Sequence, residues 1–189
     1  ELVLRDRNHP SLLIWTPMNE EWWPDRVQYP RFTADLYDLT KALDPTRPVN
    51  DASGGVHIKT DIWTVHNYEQ DPARLKEIIY KDGVFFQTPL RSVGVAPANI
   101  GFNGLRFLID EVGGIKWAKD QERESQTESW GYGKPPKSEA EFLQRLEGQI
   151  GAVLELADQV WGYCYTQLTD VEQEQNLSLI HISEPTRPY

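Results

Sequence analysis

The sequence predicts an α/β fold built on parallel strands, and three observations carry the prediction. Short apolar runs recur along the chain, segments of helical periodicity fall between them, and polar stretches follow most of the runs. A strand covered by helices on both faces reads as an unbroken apolar run rather than an alternating one, which is the pattern here.

The elements follow in order. Leu2 to Arg7 reads as the end of a helix already under way. Leu12–Thr16 comes after a His9-Pro10 turn, is bounded by Pro17, and suits a strand buried on both faces. Phe32, Leu36, Leu39 and Leu43 then recur at helical spacing, and Asp44-Pro45 ends that helix, because the residue before a proline is pushed out of the α region. Val49–Asp51 is a brief strand candidate before Ser53-Gly54-Gly55, and Ile62–Val65 a clearer one running into His66-Asn67-Tyr68. A weak helix spans Ala73–Tyr80. After a long loop rich in Gly, Pro and Asn, Leu105–Ile109 reads as a buried strand ending on Asp110-Glu111. Ser138 and Glu141 form a capping-box pattern at the start of the strongest helix, whose apolar face is Phe142, Leu146, Ile150, Val153, Leu154 and Ala157. Gln159–Tyr165 is the last strand candidate.

Composition narrows the function. The 189 residues suffice for one domain with a real core, and 39% hydrophobic with 25% charged residues is ordinary for a globular chain. A net charge of −10 argues against nucleic acid, whose phosphates would be repelled, and favours a neutral or weakly charged substrate. No stretch approaches the roughly 18 consecutive apolar residues of a membrane span, so no membrane partner is expected. The lone Cys164 leaves no disulfide framework, and no His or Cys pair stands at ligand spacing, so neither a catalytic metal nor a cofactor is expected. Seven Trp and eight Tyr supply flat faces that can pack on sugar C–H surfaces, although packing in the core is their commoner use. Glu1 is not preceded by a start methionine or a targeting segment, so localisation is left open.

Two carboxylates stand where chemistry is done in parallel α/β folds, at the C-terminal ends of strands. Glu20, after Asn19, follows the strand Leu12–Thr16, and Glu111 follows Leu105–Ile109. Hydrolysis of a glycosidic bond needs one carboxylic acid to protonate the leaving oxygen and a second carboxylate to attack the anomeric carbon or activate water. Most of the 29 acidic residues must be solvated surface charge, and position at a strand end favours these two without by itself setting them apart. Glu21 and Asp110 are expected to point elsewhere, since consecutive side chains on an extended chain alternate.

Arg5-Asp6-Arg7-Asn8-His9-Pro10-Ser11, an apolar strand, and then Trp15-Thr16-Pro17-Met18-Asn19-Glu20 resemble the signature of family 2 glycoside hydrolases, the β-galactosidase and β-glucuronidase group. The resemblance implies a (β/α)8 TIM barrel of clan A, here approximately strands 4 to 8. It implies Glu20 as general acid/base and Asn19 as the residue holding the sugar 2-hydroxyl. Phe107 to Gly114 resembles the nucleophile segment after strand 7, which makes Glu111 the nucleophile. By the same resemblance His66 and Tyr68 end strand 6, where a Tyr commonly bonds the nucleophile, and Tyr165 takes the place of an aromatic sugar platform after strand 8. Both are expected with Asn19 and His66 among the substrate-binding residues, Trp161 in the core, and Trp22, Trp23 and Trp130 in loops that can shape the pocket.

The resemblance covers residues 1–176, read as the C-terminal half of the catalytic barrel. Barrel strands 1 to 3 and the family's accessory β domains are expected in a parent chain. Leu177–Tyr189 breaks the preceding pattern, resembles a translated sequencing adapter, and is expected to be a non-native tail. The function implied is a retaining exo-glycosidase acting on β-linked carbohydrate substrates through a covalent glycosyl-enzyme. The alternatives are a carbohydrate-binding barrel without turnover and an inert gene fragment.

Overall fold

The computed structural model describes residues 1–20, 29–54, 56–85, 102, 104–117, 130–169 and 171–176. They form α1 (Leu2–Asp6), α2 (Tyr29–Leu43), β1 (Ile62–Asn67), α3 (Pro72–Ile79), β2 (Tyr80–Lys81), β3 (Val84–Phe85), β4 (Arg106–Gly113), α4 (Glu139–Leu154) and β5 (Val160–Thr166). One sheet has the order β1-β4-β5, and β2 pairs with β3 across the two-residue Asp82-Gly83 loop, a hairpin signal that lay unread in the sequence. The arrangement is mixed α/β, and the described strands do not close into a barrel. The chain divides into two compact units: Glu1–His66, Phe85–Asp110 and Val160–Gly162 in the first, and Asn67–Val84, Glu111–Gln159 and Tyr163–Tyr189 in the second. The expectations for Glu21, Trp22, Trp23 and Leu177–Tyr189 lie outside the described residues.

In the first unit Arg47 organises the motif segment. Its planar fork of N–H groups donates to the carbonyls of Arg7 (2.7 Å), His9 (2.9 Å) and Leu12 (2.7 Å), and to the Asp44 carboxylate (2.7 Å). Asp44 in turn accepts from Trp15 Nε1 at 2.9 Å, which ties the segment to the end of α2. Beyond that point Trp15–Glu20 runs alongside Pro48–Ser53 through isolated parallel bridges, Trp15 to Val49 and Asn19 to Ser53. This corrects the predicted strand Leu12–Thr16. Leu13 is 73% exposed, and only Trp15 of that run is buried, because the first residues are held by Arg47 rather than by a sheet.

The buried stripe of α2 also departs from the predicted one. Thr33 and Thr40 are buried while Phe32 and Leu39 are each 55% exposed, so the helix turns a partly polar face inward. Thr40 satisfies its hydroxyl on the Leu36 carbonyl at 2.7 Å, as a threonine in a helix can. β1 is buried over Ile62–Val65, as its unbroken run required, and Trp63 packs against His57 and Phe102, which in turn meets the stacked Phe85 and Phe107. Trp161, expected in the core, is 65% exposed with the Arg106 guanidinium 3.8 Å above its ring, a cation–π contact that needs no burial.

In the second unit α3 starts on Asp71, whose carboxylate accepts the Arg74 N–H at 2.9 Å, with Pro72 in the first turn where its missing N–H costs nothing. Leu75 and Ile79 are buried, and α3 packs on α4. At the start of α4 Ser138 Oγ accepts from Glu141 N–H at 3.2 Å, but the Glu141 carboxylate accepts from Lys137 rather than from Ser138, so the box is shifted by one residue. Phe142 and Val153 are buried as predicted, whereas Leu154 and Ala157 are exposed and Gln149 and Ala152 take their place. Gln149 belongs inside because its amide donates to the Glu69 carbonyl at 3.1 Å.

β4 is longer than predicted and carries Glu111 within the strand rather than after it. Its burial alternates through Ile109 and then breaks, leaving Asp110 and Glu111 both partly buried ahead of the buried Val112.

Candidate active site

In the first unit the parallel pairing with Pro48–Ser53 delivers Asn19 and Glu20. Ser53 N–H donates to the Met18 carbonyl at 2.9 Å, and Glu20 N–H donates to the Ser53 carbonyl at 3.0 Å. Glu20 sits at φ +48°, a left-handed conformation that costs a side-chain-bearing residue about 1–2 kcal/mol and persists only when its surroundings hold it. Here the hold is the amide bond to Ser53 and a 2.6 Å bond between Glu20 Oε1 and His66 Nδ1. His66, at the end of the buried part of β1, has its side chain almost fully enclosed. Its ring lies where a Cβ on residue 54 would sit, and with φ +57° besides, only glycine fits at Gly54.

The far side of the His66 ring meets a second acid. Nε2 lies 2.9 Å from Ser53 Oγ and 3.4 Å from Asp110 Oδ1, and Ser53 Oγ donates to Asp110 Oδ2 at 2.6 Å. Asn50 Nδ2 donates to the same Oδ2 at 3.2 Å. Burial raises the Asp110 carboxyl above the usual carboxylate range, and the Ser53 bond and the neighbouring imidazole offset only part of that. Asp110 was expected to point away from the chemistry. Instead it braces the imidazole that holds Glu20. The Ser53 loop is itself fixed by the buried Asp51, which accepts from the Ile58 and Lys59 amides at 2.7 and 2.9 Å and meets His57 Nδ1 at 2.7 Å.

In the second unit Tyr68 donates its phenol hydrogen to Glu111 Oε2. Burial, and then that bond, push the Tyr68 phenol well above its usual range, so the ring remains a neutral donor at any physiological pH. The face of Tyr68 stacks on Tyr132, centroids 3.8 Å apart and planes within 3°. Tyr132 is held by its N–H on the Gly114 carbonyl at 2.9 Å, and a side chain at Gly114 would strike both rings. Gln70 Nε2 donates to the carbonyls of Tyr68 (2.9 Å) and Gly113 (2.7 Å), tying the Tyr68 segment to the end of β4. Tyr165 packs its ring against Gly113, and burial pushes its phenol up to about 12.

Of the residues singled out from sequence, the first unit thus joins Glu20 to His66, with Asn19 exposed beside Ser53, and the second joins Glu111 to Tyr68, with Tyr165 packed on Gly113. Trp130 stands edge-on to Tyr132. Ser53, Asp110 and Tyr132 were not singled out as site residues. The signals for them were faint: a Ser before a Gly-Gly pair, an Asp beside a candidate nucleophile, and an aromatic between two glycines in Gly131-Tyr132-Gly133.

Residues 1–85 match the model of the glycosyl hydrolases family 2 TIM barrel domain. A β-galactosidase of Lactococcus lactis is 42% identical over 66 residues, 32% of this chain and 6% of that protein. A β-glucuronidase of Canis lupus familiaris is 47% identical over 51 residues, 26% of this chain and 7% of that protein. A GH2 β-galacturonidase from Eisenbergiella tayi, bound to galacturonate, superposes with a TM-score of 0.54 at 20% identity, over 92% of this chain and 31% of that one. At that identity the likeness is one of fold, and the chain spans well under half the length of each of these relatives.

Proposed function

We propose that residues 1–176, of which 1–85 match the glycosyl hydrolases family 2 TIM barrel domain, are approximately strands 4 to 8 of a (β/α)8 barrel from a retaining exo-glycosidase of β-linked glycosides. Glu111 attacks the anomeric carbon while Glu20 protonates the departing oxygen. Glu20 then takes a proton from water, which cleaves the glycosyl ester and releases the sugar with its configuration retained. Asn19 holds the 2-hydroxyl, Tyr68 orients Glu111, and Tyr165 occupies the position of the sugar platform. Leu177–Tyr189 is a tail foreign to the barrel.

The observation that carries this reading is the pairing of each Glu with a ring that can manage its charge. Glu20 lies in the matched segment and bonds an imidazole, a partner that can give or accept a proton. Glu111 bonds a phenol that only donates, which suits a carboxylate that must stay ionised to attack. The exposed Leu13, Phe32 and Leu39 of the first unit suit a half-barrel whose partner strands lie elsewhere in a parent chain.

A panel of aryl β-glycosides assayed with the full-length enzyme carrying this segment tests the reading and assigns the sugar. Turnover of one glycoside, abolished by Glu111→Gln, is expected. Full retention of kcat in that variant, or binding of sugars without turnover by the unaltered enzyme, overturns it.

A further inference from the structure

Resting on the assignment of Glu20 as the acid, we infer that Asp110, acting through Ser53, fixes a hydrogen on Nε2 of His66 and thereby leaves Nδ1 to share the transferable proton with Glu20.

The polarity of the chain of contacts can be followed atom by atom, the protons being assigned from the surrounding donors and acceptors. Asp110 Oδ2 accepts from the Asn50 amide at 3.2 Å. The only hydrogen of the Ser53 hydroxyl is then spent on the same oxygen at 2.6 Å. Ser53 Oγ can only accept on its other side, where His66 Nε2 stands 2.9 Å away. Asp110 Oδ1 lies 3.4 Å from Nε2 without a hydrogen bond to it. Nε2 therefore carries the ring hydrogen. In a neutral imidazole this leaves Nδ1 with a lone pair, and Nδ1 faces Glu20 Oε1 at 2.6 Å. The hydrogen on that short bond is the one that Glu20 and Nδ1 share.

The consequence is chemical. The proton shared by Glu20 and Nδ1 passes through Glu20 to the leaving oxygen as the glycosidic C–O bond breaks. The carboxylate left behind faces a lone pair rather than a donor, which favours its recovery of a proton from the incoming water in the second step. Asp110, Ser53 and His66 gain and lose nothing over the cycle. They are positioning residues, and the reversed tautomer would instead donate to Glu20 and stabilise it as a carboxylate, the wrong form for the first step.

Asp110→Asn reverses the chain, since its amide can donate to Ser53, whose hydroxyl then donates to Nε2 and moves the ring hydrogen to Nδ1. In the full-length enzyme this variant is expected to lose kcat/KM on the order of 10- to 100-fold for glycosides with poor leaving groups, and little for activated aryl glycosides that depart without protonation. Ser53→Ala is expected to show the same selectivity, more weakly, and the double variant to be no worse than Asp110→Asn alone. Nitrogen NMR of the imidazole, assigned by its loss in His66→Gln, is expected to report Nε2–H in the unaltered enzyme and Nδ1–H in Asp110→Asn. Equal losses across all leaving groups, unchanged rates, or the same tautomer in both proteins would overturn the inference. If Asp110→Asn does not fold, the Ser53→Ala leaving-group series and the tautomer of the unaltered enzyme decide it. Failure of the underlying reading is separable: Glu20→Gln would then itself lack leaving-group selectivity.

Discussion

The phenol of Tyr68 donates to Glu111 across 43 residues of sequence, and the two are held together by neighbours that fix both ends: Tyr132 stacks on the Tyr68 ring, and Gln70 ties the Tyr68 backbone to Gly113. A hydrogen bond to a charged group contributes about 1.5–3 kcal/mol, so Tyr68→Phe in the full-length enzyme should lower kcat roughly 10- to 100-fold. Because the Tyr68 phenol titrates above its usual range, its ionisation should produce no alkaline loss of activity below about pH 10. Steady-state rates of the Phe variant and a pH profile of the unaltered enzyme check both statements.

Replacing Glu20 should separate substrates by leaving group. Glu20→Gln cannot supply a proton, so glycosides of poor leaving groups should lose turnover by about 100-fold or more while activated aryl glycosides lose far less in the first step. Added azide should restore turnover of the activated substrates by replacing water in the second step. A loss independent of leaving-group pKa would remove Glu20 from the role of acid.

Asp44 makes an acid-sensitive tie between α2 and the motif segment. Donation from Thr46, Trp15 and Arg47 holds its carboxyl well below the usual carboxylate range. A depressed folded-state value means that the unfolded chain binds the proton more readily. The stabilisation is therefore present above the unfolded value, about 3.9, and is lost as pH falls through the lower folded value. Denaturant melts of the full-length protein and of Asp44→Asn should differ at neutral pH, with the unaltered protein more stable, and the gap should narrow progressively below about pH 4. A gap that stays constant down to pH 2 would show that the carboxylate charge contributes nothing.

The half-barrel reading predicts how this chain behaves by itself. Strands 4 to 8 alone would leave sheet edges unpaired and the barrel interior unfilled. The isolated 189-residue chain should bind a hydrophobic dye and show weak hydrogen-exchange protection, and co-expression with the missing strands should raise that protection. Cooperative unfolding of a monomeric, well-protected isolated chain would count against the reading.

What was legible in the sequence was local. The apolar run Ile62–Val65 could be read as a buried strand, Ser138 as a helix start, and Asp44-Pro45 as a helix end, because each depends on residues within a turn or two of itself. Glu20 and Glu111 stood out by their place at strand ends, and more sharply by resemblance. The tertiary structure decided which face of α2 turns inward, that Leu12–Thr16 is held by Arg47 instead of a sheet, and that Asp110 serves Glu20's partner. Those outcomes rest on contacts between residues far apart in the chain, 35 positions for Arg47 with Leu12, 46 for His66 with Glu20 and 57 for Ser53 with Asp110. Periodicity and turn chemistry act over a few residues, whereas a buried polar group takes whichever partner the packed chain brings within about 3 Å, and only folding selects it.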